Sequence, residues 1–280
     1  MDESKQNMDF TTAVIISTYN NPIWLEKVLW GYEHQTYSDF DVILADDGSG
    51  PATRALIERF QSRGILRISH VWHEDNGFQK SKILNKALEA AQSDYLIFTD
   101  QDCIPREDFV STHIRMARKG YFLSGGYYKL NLPVSTRVRE EDVSNGFVFS
   151  NRWLKEQGQP IGFKNTKLWR NALYARLMNS ITPANASWNG CNASGWRSDM
   201  IRINGYNEDM QYGGQDREFG ERLRNLGIQS KQIRYSAICV HLDHKRPYKT
   251  KKSIQKNKAI RRSTRTQNIV RTPNGIQKLS

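Results

Sequence analysis

Acidic residues are missing from the last part of this chain. From Lys245 to Ser280 there are twelve Lys and Arg and no Asp or Glu, which leaves 29 basic against 29 acidic residues elsewhere. The net charge of +12 therefore sits wholly at the C-terminal end, and electrostatic attraction to an anionic partner is localised there. That stretch also lacks aromatics except Tyr248, so it offers little for base stacking and no nucleic-acid partner is expected. Cysteine is scarce. Cys103, Cys191 and Cys239 are scattered and odd in number, which argues against a disulfide framework or a zinc site and for a reducing cytoplasm. Long hydrophobic runs are absent too: Val14-Ile15-Ile16 is far too short to span a bilayer. The opening Met1–Gln6 is polar and carries acids, so no signal peptide is expected. There is no internal repeat.

What is present alternates. Thr12–Ser17, Asp41–Ala45, Ile68–Trp72 and Tyr95–Thr99 read as strands. Between them lie helical patterns: one opened by Pro22 with Trp24, Leu25, Val28, Leu29 and Tyr32 in phase, one from Ala52 to Arg63 with Ala55, Leu56, Arg59 and Phe60 on one side, and one from Lys82 to Ala91 with Ile83, Leu84, Ala87 and Leu88 inward. Such alternation predicts an α/β fold with a mostly parallel sheet, whose ligands bind beyond the carboxyl ends of the strands. The turns Ser17–Asn20, Asp46–Ser49 and Asp100–Asp102 gather at that edge. From Ser124 to about Thr166 the pattern is irregular and reads as long loops around a weak helix. Helices are expected at Lys167–Met178, near Ser198–Ile203 and at Gln215–Asn225 with Gly227 as its cap, and a last strand at Gln232–Val240. The division is 1–125 for a nucleotide-sugar-binding half, 126–244 for an acceptor-binding and base-bearing half, and 245–280 for a basic tail.

The chemistry centres on Asp100-Gln101-Asp102, just past the Tyr95–Thr99 strand. Two carboxylates two residues apart can share one divalent cation, and hard oxygen ligands suit Mg²⁺ or Mn²⁺. A metal there can neutralise a diphosphate; Asp102 binds it directly and Asp100 supports the metal or a ribose. Asp46 or Asp47, beside Gly48 and Ser49, can accept from a nucleobase N–H, and Tyr19 can stack on the base. Lys80 and Lys82, at a helix start, can reach the diphosphate. Asp216 follows Gly213-Gly214 at another helix start. It reads as a general base, kept ionised by the helix N-terminus, with the glycines letting a substrate approach closely. His241 and His244 follow the final strand. One imidazole can reach the metal, and His241, nearer the strand end, is favoured.

Together these residues resemble the inverting glycosyltransferases of family 2, which have the GT-A fold: a Rossmann-like, mostly parallel central sheet flanked by helices, with an acceptor-binding subregion. The pieces are Val14–Asn20, Asp46–Ser49, Asn85-Lys86-Ala87 and Asp100–Asp102, followed by Asn204–Glu208, Tyr212–Asp216 and Arg222-Leu223. The later pieces look like the carboxyl-terminal galactosyltransferase-type module of bacterial polysaccharide synthases. The resemblance covers Thr12 to His244. It implies a donor site of Ser17, Thr18, Tyr19, Asn20, Asp46, Asp47, Lys80, Lys82, Asp100 and Gln101. It implies an acceptor site of Asn192, Tyr212, Gly213, Gly214 and Gln215, a metal held by Asp102, Asp100 and His241 or His244, and Asp216 as base. Where the family commonly has Glu-Asp this chain has Gln215-Asp216, which leaves Asp216 as the one carboxylate of the pair and puts acceptor choice in question.

The implied reaction moves a sugar from a nucleotide sugar, with a UDP-sugar the expected donor, to a hydroxyl of a glycan or lipid-linked acceptor in cell-surface polysaccharide or lipopolysaccharide synthesis. The competing readings are a nucleotidyltransferase using the same carboxylates, which would carry a glycine-rich phosphate loop that Ser17–Asn20 is not, and a basic nucleic-acid binder. The tail reads either as a solvated, disordered extension or as a contact with an anionic membrane face, so the expected location is the cytoplasm, peripheral to the inner face of the plasma membrane.

Overall fold

The computed structural model describes residues 10–183, 185–245 and 249–278; the Met1–Gln6 segment and Tyr248 lie outside them. The elements run β1 (Thr12–Thr18), α1 (Pro22–Glu33), β2 (Asp41–Asp46), α2 (Pro51–Arg63), β3 (Arg67–Trp72), α3 (Lys80–Ala90), β4 (Tyr95–Asp100), β5 (Cys103–Pro105), α4 (Phe109–Met116), β6 (Tyr121–Ser124) and β7 (Gly126–Lys129). Then come α5 (Leu132–Arg137), α6 (Glu140–Ser144), α7 (Asn151–Glu156), α8 (Ala172–Ile181), β8 (Ala193–Trp196), α9 (Arg197–Arg202), α10 (Gln215–Asn225), β9 (Gln229–Gln232), β10 (Ile238–His241) and α11 (Lys251–Thr266).

The main sheet has the order β3-β2-β1-β4-β8-β6-β9. Its first four strands are parallel and β8 runs antiparallel to both neighbours. A second sheet has the order β5-β10-β7. Strand β1 is buried along its whole length, as a central parallel strand covered on both faces must be. Its side chains alternate between two cores. Val14 and Ile16 meet Leu25, Val28 and Leu29 of α1, while Ala13 and Ile15 meet Ile83, Leu84, Ala87 and Leu88 of α3. Each fully buried aliphatic side chain contributes roughly 1.5–3 kcal/mol to that packing. The consequence for the site is positional: the strand ends of β1, β2 and β4 are held in register from both sides.

Several expectations need correction. The inward stripe of α2 is Thr53, Leu56, Ile57 and Phe60; Ala55 and Arg59 face solvent. The Ser124–Thr166 stretch is not loops around one helix. It holds β7, whose Tyr128 and Lys129 pair with β10, and three short helices. Helix α8 begins at Ala172, after a 3₁₀ segment over Phe163–Leu168. The single expected strand Gln232–Val240 is two, because the chain leaves one sheet at Gln232, turns through Ile233–Ala237 and enters the other at Ile238. The cysteines, scattered in sequence, converge: all three are buried and free, and Cys239 Sγ lies 3.9 Å from the Cys191 carbonyl oxygen.

The largest correction concerns the tail, which is not a disordered extension. Thr250 caps α11 by accepting from the Ser253 amide. Ser253, Asn257 and Thr264 are buried, and Arg261 and Arg265 both reach Glu221 of α10. Beyond the helix, Asn204 Nδ2 donates to the carbonyls of Thr272 and Gln277. The contact is polar, which is why a low apolar content concealed it. No helix among the described residues is long and apolar enough to cross a membrane.

Candidate active site

Gln101 ties the first strand turn to the fourth. It accepts from Thr18 Oγ1 and the Tyr19 amide, and its Nε2 donates to the Tyr19 carbonyl at 3.0 Å. Asn20, with φ of +43°, accepts from the Gly50 amide and donates its own amide to Ser49 Oγ. The three turns thus form one edge, as the strand order requires.

At this edge the two aspartates of the Asp-x-Asp run part company. Asp100 Oδ1 accepts from Ser17 Oγ and from Lys80 Nζ, each at 2.6 Å. Burial works against the Lys80 ammonium, but Asp100 and Asp216 outweigh it and lift its pKa above the ordinary lysine value. Asp102 faces the histidines instead. His244 Nε2 is 2.8 Å and His241 Nε2 3.6 Å from Asp102 Oδ2. Strand pairing delivers this, since His241 of β10 lies opposite Cys103 of β5 and the Leu242 amide donates to the Asp102 carbonyl. Each Nδ1 lies against a backbone carbonyl, Leu242 at 2.7 Å and Lys245 at 2.8 Å. His244 Nε2–H donates to the carboxylate, and a proton moved to each Nδ1 would free both Nε2 lone pairs for a shared cation. Burial raises the Asp102 carboxyl, yet the two imidazoles overcome it and its pKa is lowered.

Asp102, His241 and His244 offer ligand atoms within 4.8 Å of one another. A carboxylate plus two neutral imidazoles, each backed by a carbonyl, is a fitting donor set for a first-row divalent ion. The structure therefore brings both histidines to Asp102 and assigns Asp100 to Lys80 and Ser17.

Asp216 lies on the other side of Lys80 in charge terms. Burial raises its pKa, Asp100 adds to this, and Lys80 and the Gly190 backbone pull the other way without cancelling it. The expectation of a low pKa at a helix N-terminus is thus overturned: desolvation of the buried carboxyl is the larger effect. Its Oδ1 is buried with no hydrogen-bond partner. Gly190 permits this position, because a Cβ there would lie 2.6 Å from Asp216 Oδ1.

Other expected residues fall differently. Asp46 is fully buried between the Ser49 amide and His70 Nε2, a structural role. Asp47 meets His73 Nε2 at 2.8 Å and the Gln79 amide at 2.9 Å, anchoring the start of α3; burial raises its pKa. Tyr19 is exposed and donates to Asp75. Lys82 points away and lines a separate hollow with Glu208 and Met210. Asn192 does not line a pocket: it is fully buried, donating to the carbonyls of Gly126 and Ala237 and facing His113 Nε2. Tyr212 packs edge-on against Phe78. Gln215 accepts from the Gly213 amide. Gly213 and Gly214 have φ of +112° and +104°, and their Cα faces abut Ile254 and Arg261 of α11, so the glycines serve the turn and this contact. Sequence reasoning missed Gly190, Asp75, His70 and His73; the Asn189-Gly190 turn was the one visible signal.

Comparison with known proteins bears on this geometry. Residues 13–174 match the profile of "Glycosyl transferase family 2", and residues 175–245 match "N-terminal domain of galactosyltransferase". Among curated relatives, validoxylamine A glucosyltransferase of Streptomyces hygroscopicus is 27% identical over 77% of this chain and 52% of its own length. Chondroitin synthase of Escherichia coli is 26% identical over 82% of this chain and 34% of its own. The chain therefore spans about half of the first of these relatives and about a third of the second. Among solved structures, the mannosyltransferase of Pyrobaculum calidifontis, in complex with GDP-Man and Mn²⁺, aligns at TM-score 0.58 and 21% identity over 85% of this chain and 59% of its own. TarS 1–349 of S. aureus, in complex with UDP-GlcNAc, aligns at 0.58 and 15% identity over 85% and 60%. These neighbours share the mostly parallel α/β architecture, the GT-A fold expected above.

Proposed function

The chain belongs to glycosyl transferase family 2, and from that premise we propose that it transfers a sugar from a nucleoside-diphosphate sugar, UDP-linked, to a hydroxyl of a glycan or lipid-linked acceptor in cell-surface polysaccharide synthesis, with inversion. The observation that carries the reading is the row Asp216–Lys80–Asp100 beside the Asp102–His241–His244 cluster. A candidate base, a cation and a candidate metal set at one strand edge support the reading.

In this reading Tyr19 and Asp47 contact the nucleoside, and Ser17 and Asp100 hold the ribose side. Asp102, His241 and His244 hold the metal; imidazole ligands favour Mn²⁺ over Mg²⁺. When bound, that ion supplies positive charge against the departing diphosphate. Asp216 accepts the acceptor hydroxyl's proton as that oxygen bonds to the anomeric carbon. The bond to the diphosphate oxygen breaks with its electron pair, and the configuration inverts. Lys80 offsets the repulsion between Asp100 and Asp216 and supplies a cation where the leaving charge grows.

The UDP assignment is supported by the TarS complex, and the GDP-Man complex of the archaeal neighbour sets the contrast to test. A panel of UDP- and GDP-sugars, with nucleoside diphosphate release read in the presence of Mn²⁺ and acceptor glycans, tests it. Release from a UDP-sugar that rises with acceptor and is abolished in Asp216→Asn, with nucleotide binding retained, is expected. Full turnover by Asp216→Asn would remove it as the base.

A further inference from the structure

Helix α8 turns its apolar side outward. Its inner side is anchored: Ala175 is buried, Asn179 Nδ2 donates to Ser236 Oγ, Asn179 Oδ1 accepts from the Tyr235 amide, and Tyr174 packs on Tyr235. At 100° per residue, Leu173, Leu177 and Ile181 lie opposite, one per turn. They are 80%, 56% and 59% exposed. Phe163 and Trp169, in the segment leading into the helix, are 70% and 48% exposed. A helical apolar stripe ordinarily faces a core; this one faces solvent and forms a patch of the kind that marks an interaction site.

The charge carried by the segment itself has one sign. From Gln157 to Ser198 there is no Asp or Glu, while Lys164, Lys167, Arg170 and Arg176 fall along the same stretch. Glu107, from the loop before α4, engages Arg170. The Lys167 ammonium is disfavoured first by burial and then by Arg234 and Lys164, a sign of basic groups crowded together. Beside the helix lies a hollow of about 790 Å³ whose walls include Arg115, Arg176 and Lys231, together with Glu107 and Asp108, which are paired with Arg170 and Arg106. None of Arg115, Arg176 and Lys231 forms an ion pair among the described residues.

We infer that α8 and its leading segment dock on an anionic lipid bilayer. Leu173, Leu177 and Ile181 enter the acyl boundary, Trp169 sits at the headgroup level, and Arg115, Arg176 and Lys231 meet lipid phosphates. An apolar stripe on a segment whose own charges are all Lys and Arg is the design of an interfacial helix. The basic C-terminal helix is a poorer candidate, since none of its large apolar side chains is exposed. This inference does not depend on the donor chemistry proposed above.

Flotation of the full chain with vesicles tests it. Binding is expected to vesicles of equal phosphatidylcholine and phosphatidylglycerol, not to phosphatidylcholine alone, and to weaken as salt rises. The variant L173S/L177S/I181S should lose about tenfold or more in partitioning, and R176Q/K231Q a smaller factor. The variant K252Q/K256Q/R262Q, on the exposed side of α11, should bind as the native chain does. The single changes L173S and L177S carry the same reading, each with a smaller loss, should the triple variant misfold. Absence of flotation by the native chain, equal flotation by the triple serine variant, or loss confined to the α11 variant would overturn the inference. So would a native dimer in solution that the α8 variant dissociates, which would name a second copy of the chain as the occupant.

Discussion

Replacing Gly190 by Ala isolates the position of the candidate base from its chemistry. The three atoms nearest a Cβ at Gly190 all belong to the Asp216 carboxylate, at 2.6, 2.8 and 2.8 Å. Ordinary contact starts at 3.4 Å, so the carboxylate must retreat by about 0.8 Å or rotate away. Displacing a reacting group by about 1 Å costs on the order of 100-fold in rate, or about 2.7 kcal/mol of barrier. The residues assigned to the nucleotide, Ser17, Tyr19, Asp47 and Asp100, make none of these contacts, so nucleotide affinity should hold. Initial rates of acceptor-stimulated nucleoside diphosphate release give kcat, and calorimetry with UDP gives Kd. A double-mutant cycle sharpens the test: with Asp216→Ala already made, Gly190→Ala should cost nothing further. A Gly190→Ala enzyme with more than half the native kcat would refute the reasoning, as would an equal penalty in both backgrounds.

Other outcomes follow from the site's electrostatics and its supports. Because Asp216 must be ionised to act and its pKa is raised by burial, kcat/KM should fall on the acid side with an apparent pKa above the ordinary aspartate range. The native carboxyl holds its proton more tightly than the unfolded chain does, so stability is lost as pH rises through its unfolded and then its folded pKa. Asp216→Asn should therefore melt higher than the native protein at about pH 8, and the gap should close in acid. Asp102→Asn, His241→Ala and His244→Ala should each lower Mn²⁺ affinity strongly, read as a lost Mn²⁺-dependent rise in Tm; an undiminished rise in any of them would exclude that ligand. Asn192→Ala takes one donor from each of the Gly126 and Ala237 carbonyls and leaves the buried His113 Nε2 without its partner, so it should lose about 1–3 kcal/mol in denaturant melts with acceptor KM unchanged; a KM effect without destabilisation would restore Asn192 to the acceptor site.

The strand edge was legible because its signals are local. Buried strands such as Val14-Ile15-Ile16 and turn residues such as Asp46–Ser49 announce themselves within a few positions, and βα alternation does the rest. Asp102 with His241 and His244 was readable in outline, since each follows a strand. That both imidazoles reach it depends on β5–β10 pairing across more than a hundred residues, which no window contains. Asn192 misled for the opposite reason. Its run resembles an acceptor-lining stretch, but its amide is consumed by backbone carbonyls from two distant loops. The direction of the Asp216 shift was misjudged because a helix N-terminus is visible in sequence and desolvation is not. Helix α11 was hidden by composition, as its docking relies on Asn257, Thr264 and paired arginines rather than on an apolar stripe.

The seat of α11 against Gly213 and Gly214 also sets an order of events during synthesis. Asn257 Nδ2 donates to the carbonyls of Gln211 and Gly213, and Ile254 and Arg261 back the two glycines. The turn that presents Asp216 thus leans on residues made some forty positions later. The parallel sheet, with its strand-edge turns, can form while the turn bearing the candidate base still lacks its backing. A growing chain is then expected to bind nucleotide before it transfers sugar, with competence arriving once the stretch through Arg261 has emerged.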